Sequence, residues 1–182
     1  MKTLVIVVHP HLEQSRINKA WAERIAKEEN VTVHNLYGAY PDGKIDVARE
    51  QKLAEAHDRI VFQFPLYWYS TPALLKEWQD VVLTYGWAYG SEGNALHGKE
   101  LVLAVSAGGA KDVYQAGARN QFTLSELLRP LQAMANLTGL EFLPTHAYHG
   151  VYGVSDEALA ESAEAYVAHV LNPELSLKNV AL

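Results

Sequence analysis

Ile60-Val61-Phe62-Gln63-Phe64-Pro65-Leu66-Tyr67-Trp68-Tyr69-Ser70-Thr71-Pro72 is the stretch that decides the fold. Five strand-like residues, Ile60 to Phe64, run into a proline, then an aromatic cluster at Tyr67, Trp68 and Tyr69, then Ser70-Thr71-Pro72 ahead of an amphipathic pattern. A strand that stops at a proline and passes through a short loop into a helix marks the carboxyl edge of an open α/β sheet, where ligands of that architecture sit. Flat side chains and free backbone amides at such an edge suit a flat ligand. Taken alone, the segment also reads as an aromatic hairpin that only plugs the sheet end.

Working outward, Leu4 to Val8 is a continuous β-branched run without alternation, as expected of a central strand covered on both faces. A loop from His9 to Ser15 follows, and then a helical pattern with Ile17, Ala20, Trp21 and Ile25 on one face and Ser15 as N-cap. Val31 to Leu36 alternates and reads as a less buried strand, followed by a turn around Gly38 and Pro41-Asp42-Gly43. A helix from about Val47 to His57 leads into the Ile60 strand. On its far side Leu74, Leu75, Trp78, Val81 and Val82 mark a helix from Ala73 to Leu83. Leu101 to Val105 is another buried-type strand, ending in Ser106-Ala107-Gly108-Gly109. A long loop, Ala110 to Phe122, precedes a helix from about Leu124 to Thr138 that carries Pro130 early. Glu141 to Tyr148 is a short last strand, a final helix runs from Asp156 to about Leu171, and the tail from Pro173 to Leu182, which lacks periodicity, is expected either to be loosely ordered or to lie on a partner.

Five strands alternating with helices call for a single domain over residues 1–182, a doubly wound parallel sheet with right-handed crossovers and strand order 2-1-3-4-5. That order puts a switch point between the first and third strands. The loops after Val8, Phe64 and Val105 then line one crevice.

The 182 residues are 49% hydrophobic and 20% charged, with net charge −6, which argues against a nucleic-acid surface. With no cysteine, disulfides, thiolate metal sites and a cysteine nucleophile are excluded. The first apolar run is too short for a signal sequence or membrane span, so a cytoplasmic location is expected.

The first loop places His9, Ser15 and Asn18 at a helix N-terminus, whose unpaired N–H groups and partial positive charge suit a phosphate monoester; plain N-capping is the competing reading. The glycines of Ser106-Ala107-Gly108-Gly109 let backbone approach a ligand closely, or simply make a tight turn. Ser106 is not a hydrolase nucleophile elbow, because Ala104 stands where G-x-S-x-G needs glycine. Gly93 to Lys99 matches G-x-x-x-x-G-K, but Glu100 follows in place of Ser or Thr and the segment leads into a strand, so it is a turn. No G-x-G-x-x-G occurs. His146-x-x-His149 and His9-x-His11 lack a third ligand at recognisable spacing, and no metal is expected.

Several blocks carry a family resemblance: Leu36-Tyr37 with Tyr40-Pro41-Asp42; Phe64-Pro65-Leu66-Tyr67-Trp68-Tyr69-Ser70 with Pro72-Ala73-Leu74-Leu75-Lys76; Gly86-Trp87-Ala88-Tyr89-Gly90; and Ala95-Leu96-His97-Gly98-Lys99. In these the chain resembles the flavin-dependent NAD(P)H:quinone oxidoreductases of flavodoxin-like fold. It looks closest to the bacterial branch that includes ancillary proteins of glutathione-regulated potassium-efflux systems. The resemblance implies FMN, with FAD as the alternative, and NADPH or NADH as hydride donor. The phosphate would sit on His9, Ser15, the Ile17 amide and Asn18. The ring would lie against Pro65, Leu66, Tyr67 and Trp68 and against Ser106, Gly108 and Gly109. It further implies a homodimer in which Tyr69, Trp87 and Tyr89 help cover the substrate site. Tyr114 matches a family tyrosine that steadies the reduced flavin, and Arg119 stands where the family carries a histidine. The activity implied is two-electron reduction of quinones or similar planar acceptors. The alternative is a regulatory subunit docked on a potassium-efflux transporter at the inner membrane face.

Overall fold

The computed structural model describes residues 1–175. Strands β1 (Thr3–Val7), β2 (Val31–Asn35), β3 (Arg59–Pro65) and β4 (Glu100–Ala107) form a parallel sheet in the order β2-β1-β3-β4. Beyond β4 it continues in two short pieces, β5 (Glu141–Phe142) and β6 (His146–His149), both parallel to β4. The expected last strand is therefore interrupted, giving six strands where five were expected, because Pro144 between the pieces has no N–H for the ladder. The order 2-1-3-4-5 holds, and with it the switch point between β1 and β3.

Helices α1 (Arg16–Ile25), α2 (Leu36–Ala39), α3 (Val47–Glu55), α4 (Ala73–Val82), α5 (Leu124–Leu127), α6 (Arg129–Thr138) and α7 (Asp156–Val170) complete the chain. On one sheet face Leu4, Ile6, Ile60, Phe62, Phe64, Leu103 and Val105 pack with Ala54 of α3, Leu75 and Trp78 of α4, and Ala135 of α6. On the other, Val5, Val7, Val61, Val102 and Ala104 pack with Trp21 and Ile25 of α1 and Tyr166 and Val170 of α7. Because helices cover both faces, these strands read as unbroken apolar runs.

Two helical expectations change. The helix anticipated from Leu124 to Thr138 breaks at Leu128 (φ −95, ψ 2), since Pro130 cannot donate back to the preceding turn and instead occupies the first turn of α6. The end of the second strand, Leu36, instead opens α2, where the Asn35 carboxamide oxygen accepts from Gly38 N at 3.1 Å. Of the tail, Leu175 packs against the α1/α7 core, and residues 176–182 lie outside the described residues.

Candidate active site

Three sheet-edge loops meet in one cleft of about 1060 Å³. It is lined by His9, Ser15, Ile17 and Asn18 after β1, by Pro65, Leu66, Tyr67, Trp68 and Tyr69 after β3, and by Ser106, Gly108, Gly109, Tyr114 and Arg119 at and beyond the end of β4. Trp87 and Tyr89 do not line it. In this chain the Trp87 indole donates to Glu55 Oε1 at 2.7 Å, and the Tyr89 ring sits edge-on to Tyr85.

At one end of the cleft, α1 begins. Ser15 caps it by accepting from Asn18 N at 3.2 Å, which leaves the Ser15 hydroxyl proton and the Arg16 and Ile17 amides without an intrahelical partner. The first-turn amides and the helix dipole favour an anion here. His9 Nδ1 accepts from His11 N at 3.0 Å, so in the neutral ring the proton sits on Nε2 as a further donor. Burial, then the neighbouring His11, holds His9 below the usual histidine value. Arg16 is engaged elsewhere, in an ion pair with Asp156 of α7 and a bond to the Val154 carbonyl at 2.5 Å.

In the middle, Asn18 Nδ2 donates to Ser106 Oγ at 2.8 Å, while Asn18 Oδ1 is buried with no partner among the described residues. The Ser106 hydroxyl can also donate, so a half-turn of the amide would present Nδ2 to the cleft in its place.

At the other end Tyr67 N donates to Ser70 O at 3.0 Å and Ser70 N to Tyr67 O at 2.9 Å, closing a two-residue hairpin. Its central residues, Trp68 (φ 49) and Tyr69 (φ 62), are both left-handed, a conformation that turns of this type normally assign to Asn or Gly. Two bulky residues there store strain of about 1–3 kcal/mol each. The turn holds the Trp68 side chain 93% exposed at the cleft rim.

The glycines of the β4 loop leave room for neighbouring side chains. A Cβ on Gly109 would stand 2.9 Å from Val113 Cγ2 and 3.1 Å from Tyr114 Cε2, and one on Gly108 3.1 Å from Tyr152 Cε2. Tyr114 also rests against His149, ring centroids 5.5 Å apart. Val151, Tyr152 and Gly153 complete the lining from the loop after β6. Sequence reasoning missed these three. The signal was present, since this loop too leaves the carboxyl edge of the sheet, and Gly150 and Gly153 (φ 72 and 73) punctuate it.

A family model described as flavodoxin-like fold matches residues 1–170. General stress protein 14 of Bacillus subtilis is 58% identical over 95% of this chain and 99% of its own, and an uncharacterized NAD(P)H oxidoreductase, YdeQ, of the same organism is 56% identical over 98% and 90%. The glutathione-regulated potassium-efflux system ancillary protein KefF of Salmonella is 44% identical over 92% and 94%. Among solved structures, a chain described as a thermophilic tryptophan halogenase from Streptomycin violaceusniger has 52% identity and TM-score 0.90 over 92% of this chain and 98% of its own. General stress protein 14 of Treponema denticola in complex with FMN has 44% and 0.87 over 92% and 97%, and an NADPH-quinone reductase from P. pentosaceus 42% and 0.86 over 94% and 99%. Matched by that family model and by such relatives along nearly its whole length, this chain belongs to the flavodoxin-like fold family, as the motifs around Pro65 and Gly86 implied.

Proposed function

We propose that the protein is an FMN-dependent NAD(P)H oxidoreductase that reduces quinones or similar planar acceptors. The observation that carries this reading is the convergence of a helix N-terminus with free amides, a strained aromatic hairpin and a glycine-rich strand end on a single cleft. The names of the NAD(P)H oxidoreductase, FMN-complex and quinone-reductase relatives support it. The halogenase description stands apart from these and is not carried to this chain.

The residues fit the cofactor. The free first-turn amides and the Ser15 hydroxyl offer donors to a phosphate, and the unpartnered Asn18 Oδ1 an acceptor to a hydroxyl beside it, with Gly108 and Gly109 leaving backbone bare in the same cleft. Bound FMN supplies a ring that accepts hydride from NAD(P)H and returns it to the acceptor, in two half-reactions at one site. The protein's part is to hold and screen. His9, Ser15, the Ile17 amide and Asn18 bind the phosphate end. Pro65, Leu66, Tyr67, Trp68 and the backbone of Ser106 to Gly109 frame the ring. Tyr114 would offer a hydrogen bond, and Arg119 a fixed positive charge, to the cofactor from the loop beyond β4. Tyr69 and Trp68 offer flat apolar surface that accepts many planar substrates. Trp87 and Tyr89 act in a homodimer, covering the partner's cleft, and the protein works in the cytoplasm.

The purified protein is expected to show a flavin absorption band that bleaches anaerobically with NADPH or NADH and returns with menadione, with parallel-line steady-state kinetics. A protein that neither takes up FMN nor oxidises a nicotinamide would overturn the proposal. Identity of 44% to the potassium-efflux ancillary proteins supports a second reading, a regulatory subunit that binds a membrane transporter. Co-purification with such a transporter, without turnover, would favour it.

A further inference from the structure

Gln63 is the one polar side chain in the middle of β3, and it is fully buried. Its neighbours across the sheet are Val7 of β1 and Ala104 of β4, so its amide stands in a layer of small apolar residues beneath α1 and α7. An amide in such a place costs free energy unless both ends are bonded, whereas leucine or methionine would fit there without that cost. Both ends are bonded, and to two different helices. Gln63 Nε2 donates to the Asn18 carbonyl in the first turn of α1 at 2.8 Å, and Gln63 Oε1 accepts from the Tyr166 hydroxyl of α7 at 2.9 Å. Tyr166 is itself fixed, fully buried and stacked on Trp21 at 4.9 Å with planes 12° apart. Burial raises its phenol well above the ordinary value, so it remains a neutral donor throughout the working pH range. From Asn18 the chain of bonds goes on through Nδ2 to Ser106 Oγ, at the cleft.

These contacts tie the first turn of α1 to the sheet at two points, to β3 through Gln63 and to β4 through Ser106. It is the turn that presents the Arg16 and Ile17 amides and the Ser15 hydroxyl. We propose that Gln63, held by Tyr166, is a positioning residue for phosphate binding: it fixes the α1 N-terminus at the height above the sheet at which its donors converge on the anion. It touches no ligand and acts through Asn18. A site whose donors are held before binding does not have to order them on binding, and affinity gains accordingly. The inference rests on the FMN reading of the cleft.

The test compares FMN with riboflavin, which has the same ring and ribityl chain without the phosphate, by fluorescence titration of the apoprotein at fixed salt. Wild type is expected to prefer FMN. Gln63→Met, close in shape and apolar, is expected to weaken FMN binding roughly tenfold while changing riboflavin affinity less than about twofold. It also leaves the Tyr166 hydroxyl unpaired and lowers the unfolding midpoint. Gln63→Met with Tyr166→Phe removes both polar partners, so the midpoint is expected to recover while the preference for FMN stays lost. If the preference is unchanged in Gln63→Met, or returns together with stability in the double variant, the positioning role is overturned. A wild-type protein that binds neither flavin would instead refute the cofactor reading, and this inference with it.

Discussion

Asn18 and Ser106, 88 positions apart in sequence, meet in a buried side-chain hydrogen bond of 2.8 Å that joins the start of α1 to the end of β4. Ser106→Ala removes the acceptor and leaves a buried amide donor unpaired, at a cost of about 1–3 kcal/mol of stability. FMN affinity is expected to fall with it. Urea unfolding of Ser106→Ala, Asn18→Ala and the double variant checks this. The two residues are coupled, so in the Asn18→Ala background the serine substitution should cost much less.

Gly109→Ala places a methyl group against Val113 and Tyr114. The Val113 and Tyr114 side chains give way, and the phenol moves. Turnover with menadione is expected to fall roughly tenfold, a cost of the size seen when a donor is misplaced. The unfolding midpoint should move by no more than about 2–4 °C. A crystal structure of the variant with Tyr114 in its original place and unimpaired turnover would contradict this.

Trp68→Gly takes a bulky residue out of the left-handed region. Relief of strain outweighs the greater freedom of glycine in the unfolded chain, and a gain of about 1 kcal/mol is expected from thermal or chemical unfolding. The same change strips an indole from the cleft rim, so the KM for planar acceptors should rise. Stability gained together with acceptor binding lost is the signature of strain kept for function.

His146, on β6 between Trp21 and His169, is held down to about 4 by burial and then by the neighbouring imidazole of His169. Its folded value lies below the unfolded value of 6.5, so the unfolded chain binds the proton more readily. Stability from this group is complete above pH 6.5 and is lost as pH falls from there to about 4, amounting to on the order of 3 kcal/mol at most. His146→Phe should flatten that limb of the stability curve. A second, separate loss begins lower. Burial pushes the Glu50 carboxyl up, but the His34 ring 3.0 Å away and the Tyr40 and Trp78 groups donating to it outweigh that and leave it below 4.5, so its contribution disappears only as pH falls beneath that value. Urea titrations from about pH 3.5 to about pH 7.5 would resolve the two windows.

Much of this was legible in the chain. β1, β3 and β4 declare themselves because burial on both faces leaves unbroken apolar runs, and the loops behind them had to share an edge once the order was known. The interruption at Pro144 and the break at Leu128 were visible as prolines, but only packing decides whether a proline bends an element or ends it. Gln63 was hidden by its neighbours. Within Ile60 to Phe64 it reads as one polar residue in a strand, and only tertiary structure brings Asn18 and Tyr166 to its two ends. Tyr152 was overlooked because its loop follows the weakest strand. Trp87 and Tyr89 were placed through the family pattern, and in this chain they stand away from the cleft, held by Glu55 and beside Tyr85.

The divided strand after β4 bears on how copies of the protein can meet. A neighbouring chain adds to a sheet by hydrogen-bonding along an open border, and needs several consecutive unpaired backbone groups to do so. Here that border is cut into pieces of two and four residues with Pro144 between them. Growth by strand addition at that border, the route to fibres, is thereby obstructed. On that side self-association is left to side chains, and elsewhere the exposed aromatics Tyr85, Tyr89 and Trp68 offer a contact that does not extend the sheet.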